Sequence, residues 1–224
     1  MRLSIALFDG FTALDIVGGY EVLANVPGME VEFVASARGI VAADTRRLGL
    51  VAYRSFAEVL DTDILYVPGG PGVVPALTDD ELLVWLRTVH ATTTWTVGIC
   101  NGVALLAAAG TMKGRVVTTN WSWRERVASY GATVLPVRYH RDGKIVTSAG
   151  VSASIDAALS LAASIAGERV AATIRLGIEY YPDPPGGAGS ADDAPGDAKA
   201  LIKAFEETVA PARLAGVQPP FACR

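Results

Sequence analysis

The feature that most constrains this chain is an alternation. Short apolar runs trade places with helical patterns, and each run breaks off at a glycine-rich or acidic turn. Leu3 to Phe8 stops at Asp9-Gly10, Ile64 to Val67 at Pro68-Gly69-Gly70-Pro71-Gly72, and Trp95 to Ile99 at Cys100-Asn101-Gly102. Helical patterns fill the gaps. Thr12 to Leu23 places Leu14, Val17 and Glu21 on related faces, and the capping box Thr78-Asp79-Asp80-Glu81 opens a helix to about Thr88. A third helix begins directly after Cys100. Strands that are apolar along their length need cover on both faces, and strands interleaved with helices pair in parallel. The expected fold is therefore α/β, a mostly parallel sheet with helices on both faces. Ligands in such sheets bind beyond the carboxyl ends of the strands. The turns Asp9 to Asp15, Pro68 to Gly72 and Gly98 to Gly102 all fall there.

The remaining segments fit one domain spanning residues 1–224. Val31 to Ser36 reads as a second strand, and Val41 to Tyr53 as a hairpin. A short strand begins at Val116-Val117, Trp123 to Tyr130 is helical, and Thr133 to Leu135 is extended. Val137 to His140 and Lys144 to Thr147 form a hairpin around Arg141-Asp142-Gly143, because Asp-Gly favours tight reversal. An alanine-rich helix from Ser152 to Ala166 is closed by Gly167, and another follows from Glu168 to Glu179. Pro182 to Gly196 is rich in Pro, Gly, Ala, Asp and Ser and reads as a mobile loop. Helical character returns from Asp197 to Val209 and is expected to stop before Pro211.

Composition excludes several classes. With 51% hydrophobic residues among 224, a substantial core is expected. A net charge of -4 without a basic run weighs against nucleic acid. No apolar run approaches the roughly 20 residues of a membrane helix. The N-terminal run is too short for a secretion signal and reads as strand one. Two cysteines, Cys100 and Cys223, are too few and too far apart for a disulfide framework, which points to a reducing, cytoplasmic setting.

Cys100 carries the strongest chemical signal. It stands on a sharp strand-to-helix turn, the sulfur counterpart of a serine nucleophile elbow, where backbone N–H groups and the helix dipole favour the thiolate. Cys223, in a proline-containing tail, has no motif around it. A Cys–His hydrolase needs a histidine base. The two histidines, His90 at a helix end and His140 in a hairpin, both read as surface residues. The remaining partner is Asp15, in the apolar setting Phe11-Thr12-Ala13-Leu14-Asp15-Ile16-Val17-Gly18. Burial there raises a carboxyl pKa, and a nearby thiolate raises it further. Asp15 could equally be a charge that stabilises the helix dipole. The N–H groups of Gly69 and Gly70 could steady developing negative charge, or the segment could be only a turn. Neither the cysteines nor the histidines have a zinc-ligand spacing, and no P-loop or dinucleotide fingerprint occurs.

Five stretches together resemble the DJ-1/PfpI superfamily: Phe8 to Gly18, Tyr66 to Gly70, Gly98 to Gly102, Thr118 to Trp121, and Thr147 to Asp156. Within it the chain is most similar to the isonitrile hydratase branch, whose members carry Asp where Asp15 stands. The end of that branch is also similar to Gly177 to Pro185. The resemblance implies a flavodoxin-like α/β sandwich, commonly a homodimer, that needs no cofactor. It implies addition of water to an isonitrile, giving an N-substituted formamide. Cys100 would attack the terminal carbon and Asp15 would handle the proton, with Gly69, Gly70 and Asn101 around the reacting group. Two positions depart from that branch: Asn101 stands where Thr is usual, and Asn120 where His is frequent. Ser154, where Gly is common, is a smaller departure. The same module forms the sensor half of AraC-type regulators, but no helix-turn-helix domain follows here. A ligand-binding or redox-sensing module, or a glyoxalase- or deglycase-like activity on small aldehydes, are the alternative expectations.

Overall fold

The computed structural model describes residues 1–186 and 189–221. Cys223 therefore lies outside the described residues, as do positions 187 and 188 of the expected loop. From the N-terminus, β1 (Arg2–Ala6) leads through the turn at Gly10 into α1 (Ala13–Leu23), followed by β2 (Glu30–Ala35). The expected hairpin is β3 (Gly39–Ala42) with β4 (Gly49–Ala52), antiparallel, and β5 (Arg54–Ser55) follows. Then come β6 (Ile64–Val67), the short α2 (Val73–Ala76), α3 (Asp80–Thr92), β7 (Trp95–Ile99) and α4 (Gly102–Ala108). The second half holds β8 (Val116–Val117), α5 (Arg124–Ser129), β9 (Thr133–Val134), β10 (Tyr139–Asp142) and β11 (Ile145–Ser148). It ends with α6 (Ala153–Ala166), α7 (Glu168–Gly177), α8 (Gly196–Ala204), a π turn (Phe205–Val209) and α9 (Ala210–Gly216).

The main sheet has the order β10-β11-β7-β6-β1-β2-β5 and is parallel except for the β10–β11 hairpin. This is the flavodoxin-like α/β arrangement. Its central strands are buried on both faces: Leu3, Ile5, Ile64, Tyr66, Val97 and Ile99 are all fully inaccessible. From β1 the chain runs outward to β2 in one direction and returns to β6 on the other side. The carboxyl ends of β1 and β6 therefore diverge to leave a crevice. The turns after β1, β6 and β7 meet there.

One local expectation is borne out and two are corrected. On α1, Leu14, Val17 and Glu21 share a face as expected; it is the outward one, and Asp15, Ile16, Gly18, Gly19, Val22 and Leu23 are buried. The glycine pair explains the choice. A methyl built on Gly18 would lie 2.5 Å from Ser154 Oγ on α6, and one on Gly19 would lie 2.2 Å from Tyr66 Oη, so only glycine lets α1 settle this closely. On α3 the N-cap is Asp79, whose carboxylate accepts from Leu82 N–H at 3.1 Å; Thr78 turns back to the Pro75 carbonyl, and the helix runs on to Thr92. Finally, helix resumes after the π turn and continues through Pro211. That proline falls in the first turn of α9, directly after the π turn.

Candidate active site

Cys100 follows β7 with φ of 54°, one of three non-glycine residues in the left-handed region among those described. Such a conformation costs ~1–3 kcal/mol and persists only where its surroundings enforce it. Here the Cys100 N–H donates to Ser148 O on the adjacent strand end (3.1 Å), and its carbonyl accepts from Thr119 Oγ1 (2.7 Å). The side chain is turned inward, only 6% exposed. The Asn101 N–H and the side-chain amide of Asn120 both act to favour the charged form of the sulfur.

Asp15 enters from the first turn of α1 and is wholly inaccessible. Its Oδ2 accepts from Gly69 N–H at 2.7 Å, and Oδ1 has no hydrogen-bond partner among the described residues. Its own carbonyl accepts from Tyr66 Oη, so the strand before the glycine turn holds the helix that carries the acid. Gly69 brings acid and thiol together. It binds Asp15 through its N–H, and a methyl on it would stand 2.9 Å from Cys100 Cβ and 2.2 Å from Asn101 Oδ1. Asn101 in turn makes a reciprocal pair with Gly70, accepting its N–H at 2.7 Å and donating to its carbonyl at 3.1 Å. The Gly69 and Gly70 N–H groups therefore orient Asp15 and Asn101 in this structure, rather than pointing at open space.

The electrostatics differ from the sequence expectation in sign at the thiol. Burial, first, and then the charge of Asp15 push Cys100 well above the ordinary thiol value. The Asn101 N–H and the Asn120 amide pull the other way without reversing it. The reason is that α4 is short and Cys100 sits where the desolvation cost of a charge exceeds what a helix end returns. Asp15 is raised to about 7, by burial first, with the Gly69 N–H opposing and the charge of Asp44 adding. The raising neighbour is thus a carboxylate, held in place by Thr12 Oγ1 at 3.1 Å. Tyr66 is pushed well above its usual range, by burial and then by Asp15.

His90 is half-buried rather than a surface residue. Its Nδ1 meets Thr96 Oγ1 at 2.8 Å, and Lys144 Nζ donates to its carbonyl. Burial, then the charges of Lys144 and Arg115, depress it to about 4. Thr96 lies near the start of β7, the end opposite Cys100, so this imidazole is no base for the thiol. His140, on the edge strand β10, pairs with Thr147 in register. Among the described residues no cluster of three His, Cys, Asp or Glu side chains could hold a metal. No helix there is long and apolar enough to cross a membrane.

Sequence reasoning missed Tyr66 and Thr119 as supports. It noted Asn120 only as a departure, although its amide acts on the sulfur. It also missed the C-terminal segment, which lies against the site. Glu206 Oε2 is 2.8 Å from Ser122 Oγ, Lys203 lies 5.8 Å from the centre of the Trp121 ring, and Arg46 Nε donates to Val217 O at 3.1 Å. No local pattern could have announced these contacts.

The chain is similar to several known proteins. The sequence profile of the DJ-1/PfpI family matches residues 1–164. An isonitrile hydratase of Pseudomonas putida is 34% identical over 195 residues, 87% of this chain and 85% of that protein. An HTH-type transcriptional regulator of Pseudomonas aeruginosa, CdhR, is 27% identical over 75% of this chain, which spans 52% of the regulator. A crystal structure of a ThiJ/PfpI family protein from Pseudomonas syringae superposes with a TM-score of 0.87 at 32% identity, covering 96% of this chain and 90% of that one.

Proposed function

Because the chain belongs to the DJ-1/PfpI family, we propose that it is an isonitrile hydratase-like lyase, adding water to R–NC to give an N-substituted formamide. What supports the proposal is a buried thiol and a buried carboxyl held at the same glycine turn, with the carboxyl oxygen Oδ1 left unpartnered and no direct hydrogen bond joining acid and sulfur. The same enclosure pushes both groups up, and the charge of Asp15 acts on the thiol. Ionised Asp15 takes the Cys100 proton as sulfur attacks the terminal carbon, and returns it to that carbon. The product is the thioimidate R–N=CH–S. Asp15 then accepts a proton from water as the oxygen adds to the same carbon and passes it to nitrogen, while the hydroxyl hydrogen is the one that goes to sulfur. Sulfur leaves with a proton, giving R–NH–CHO and the free thiol. Asn101 N–H and the Asn120 amide steady negative charge on the sulfur, while Gly69 and Gly70 hold Asp15 and Asn101. Asn101 braces the Gly70 turn where the related enzymes usually carry threonine, so the substrate pocket differs there. No cofactor enters these steps.

Incubating the purified protein with a panel of alkyl and cyclic isonitriles should yield the formamides. No turnover across the panel, or full turnover by Cys100→Ala, would remove the proposal. The regulator relative keeps a ligand-binding or redox-sensing role as the second reading. Oxidation to a sulfinate follows thiolate character, and this thiol is held protonated, which disfavours that reading. Peroxide titration with intact-mass readout separates the two. We also place the protein in the cytoplasm, where a free thiol stays reduced. We expect a homodimer, since Leu14 and Val17 on the outward face of α1 are 42% and 40% exposed.

A further inference from the structure

The C-terminal segment brings a second carboxyl group to Cys100, and a count of hydrogens assigns it a role. Ser122 Oγ lies 2.7 Å from Asn120 Oδ1 and 2.8 Å from Glu206 Oε2. The Asn120 orientation is fixed, because the same Oδ1 accepts Ser122 N–H at 2.9 Å. Its nitrogen is therefore the end directed at the sulfur. A serine hydroxyl has one hydrogen, and here it faces two oxygens. The serine can split its hydrogen between the two oxygens, but both contacts are full two-centre hydrogen bonds only when Glu206 carries a proton and donates it to Ser122 Oγ, leaving the serine hydrogen for Asn120.

We propose that Glu206 is a positioning residue for Cys100, acting in its protonated form through Ser122 to hold the Asn120 amide on the sulfur. Ionisation releases the Glu206 proton to solvent. The carboxylate then claims the Ser122 hydrogen, and two lone-pair oxygens face each other at the Asn120 contact. The amide loses its brace and a negative charge appears beside the thiol. Both changes disfavour the thiolate, so a distant residue of the chain sets the reactivity of the cysteine.

The surroundings agree. Glu206 is half-buried, and burial, first, together with Glu207 raises its pKa, against the Ser122 hydrogen bond and Lys203, which favour the charged form. Cys100 in turn senses Glu206 as a raising charge, after Asp15. These are the charged groups facing it: Glu207 and Lys203 from its own helical segment, and Cys100 from the β7 turn.

The inference rests on Cys100 as the nucleophile of the proposed reaction, but its test needs no isonitrile. Cys100 alkylation by iodoacetamide is followed by intact mass from pH 5 to 9.5 in an Asp15→Asn, Cys223→Ser background, which removes the Asp15 titration near 7. With Glu206 in place, the rate should rise with pH and flatten where Glu206 ionises. Glu206→Gln keeps an N–H donor toward Ser122 without charge. It should lose that flattening and react at least about threefold faster at pH 8, half a pH unit in thiol pKa. Ser122→Ala keeps the charge but cuts the link, and should shrink the bend. A Glu206→Gln profile equal to that of its Glu206 parent overturns the proposal. So does a Ser122→Ala profile with the full bend of that parent, which would mean that the charge acts through space alone. Should Ser122→Ala fail to fold, infrared difference spectra in the same Asp15→Asn background decide: a protonated-carboxyl C=O band at pH 6 must vanish in Glu206→Gln, and its persistence refutes the hydrogen count. Absence of formamide from the wild-type protein alongside a lost bend would refute the isonitrile reading and leave this one standing.

Discussion

Replacing Asp15 with asparagine should stabilise the protein at alkaline pH, and the gain should grow with pH in a calculable way. The Asp15 carboxyl has an ordinary value of 3.8 and is raised to about 7 in the fold, where it is wholly buried. Between those two values the folded protein keeps a proton that the unfolded chain has released. Stability therefore falls as pH rises through this window and is fully present below it. About three pH decades at ~1.4 kcal/mol each amount to ~4 kcal/mol lost by pH 7–8. Asparagine has the same shape and can still accept the Gly69 N–H, but cannot ionise. Its NH2 group takes the place of the unpartnered Oδ1, at a pH-independent cost of ~1–2 kcal/mol. The variant should thus be slightly weaker than wild type near pH 4.5 and ~2–3 kcal/mol more stable near pH 8. The measurement is urea unfolding at fixed protein concentration across pH 4.5 to 8.5. A difference between the two proteins that stays constant to within ~0.5 kcal/mol over that range would refute the buried-acid argument.

Three further outcomes follow from the same geometry. Tyr66→Phe removes the only side-chain donor shown to the Asp15 carbonyl and should cost ~1–3 kcal/mol in urea unfolding, with no change in the pH midpoint of thiol alkylation by more than a few tenths of a unit. Gly69→Ala drives a methyl to 2.2 Å from Asn101 Oδ1 and should cost ~1–3 kcal/mol of stability and at least about tenfold in formamide production, since both Asp15 and Asn101 must move. If Asp15 is the proton acceptor, kcat/KM for an isonitrile should rise with pH through an apparent pKa near 7, and Asp15→Asn should abolish that limb along with most of the activity.

The strands, both hairpins, the closure of α6 at Gly167 and the turn that carries Cys100 were legible in the sequence. Each depends on neighbours a few residues away or on a motif with a fixed spacing. The reversal is expected around Arg141-Asp142-Gly143; Arg141 and Asp142 instead pair within β10, and the chain turns at Gly143-Lys144, where Gly143 has φ of 60°. Where local rules competed, the tertiary structure decided. Thr78 and Asp79 are both capping residues, and packing after α2 selected Asp79. On α1 the apolar pair Leu14 and Val17 would ordinarily turn inward, but Gly18 and Gly19 allow a closer approach on the other side.

The sequence by itself determined the architecture and singled out Cys100 and Asp15 as candidates, because periodicity, turn chemistry and the elbow around Cys100 are local properties. Only the folded chain decided how the thiol is poised. A strand-to-helix turn alone favours a thiolate, yet full burial beside Asp15 holds the sulfur protonated. Desolvation depends on everything that encloses a group, and here the enclosure comes from α1, from the glycine turn after β6 and from a C-terminal segment that carries Glu206. Those contacts join residues far apart in the chain, so no window of sequence contains them.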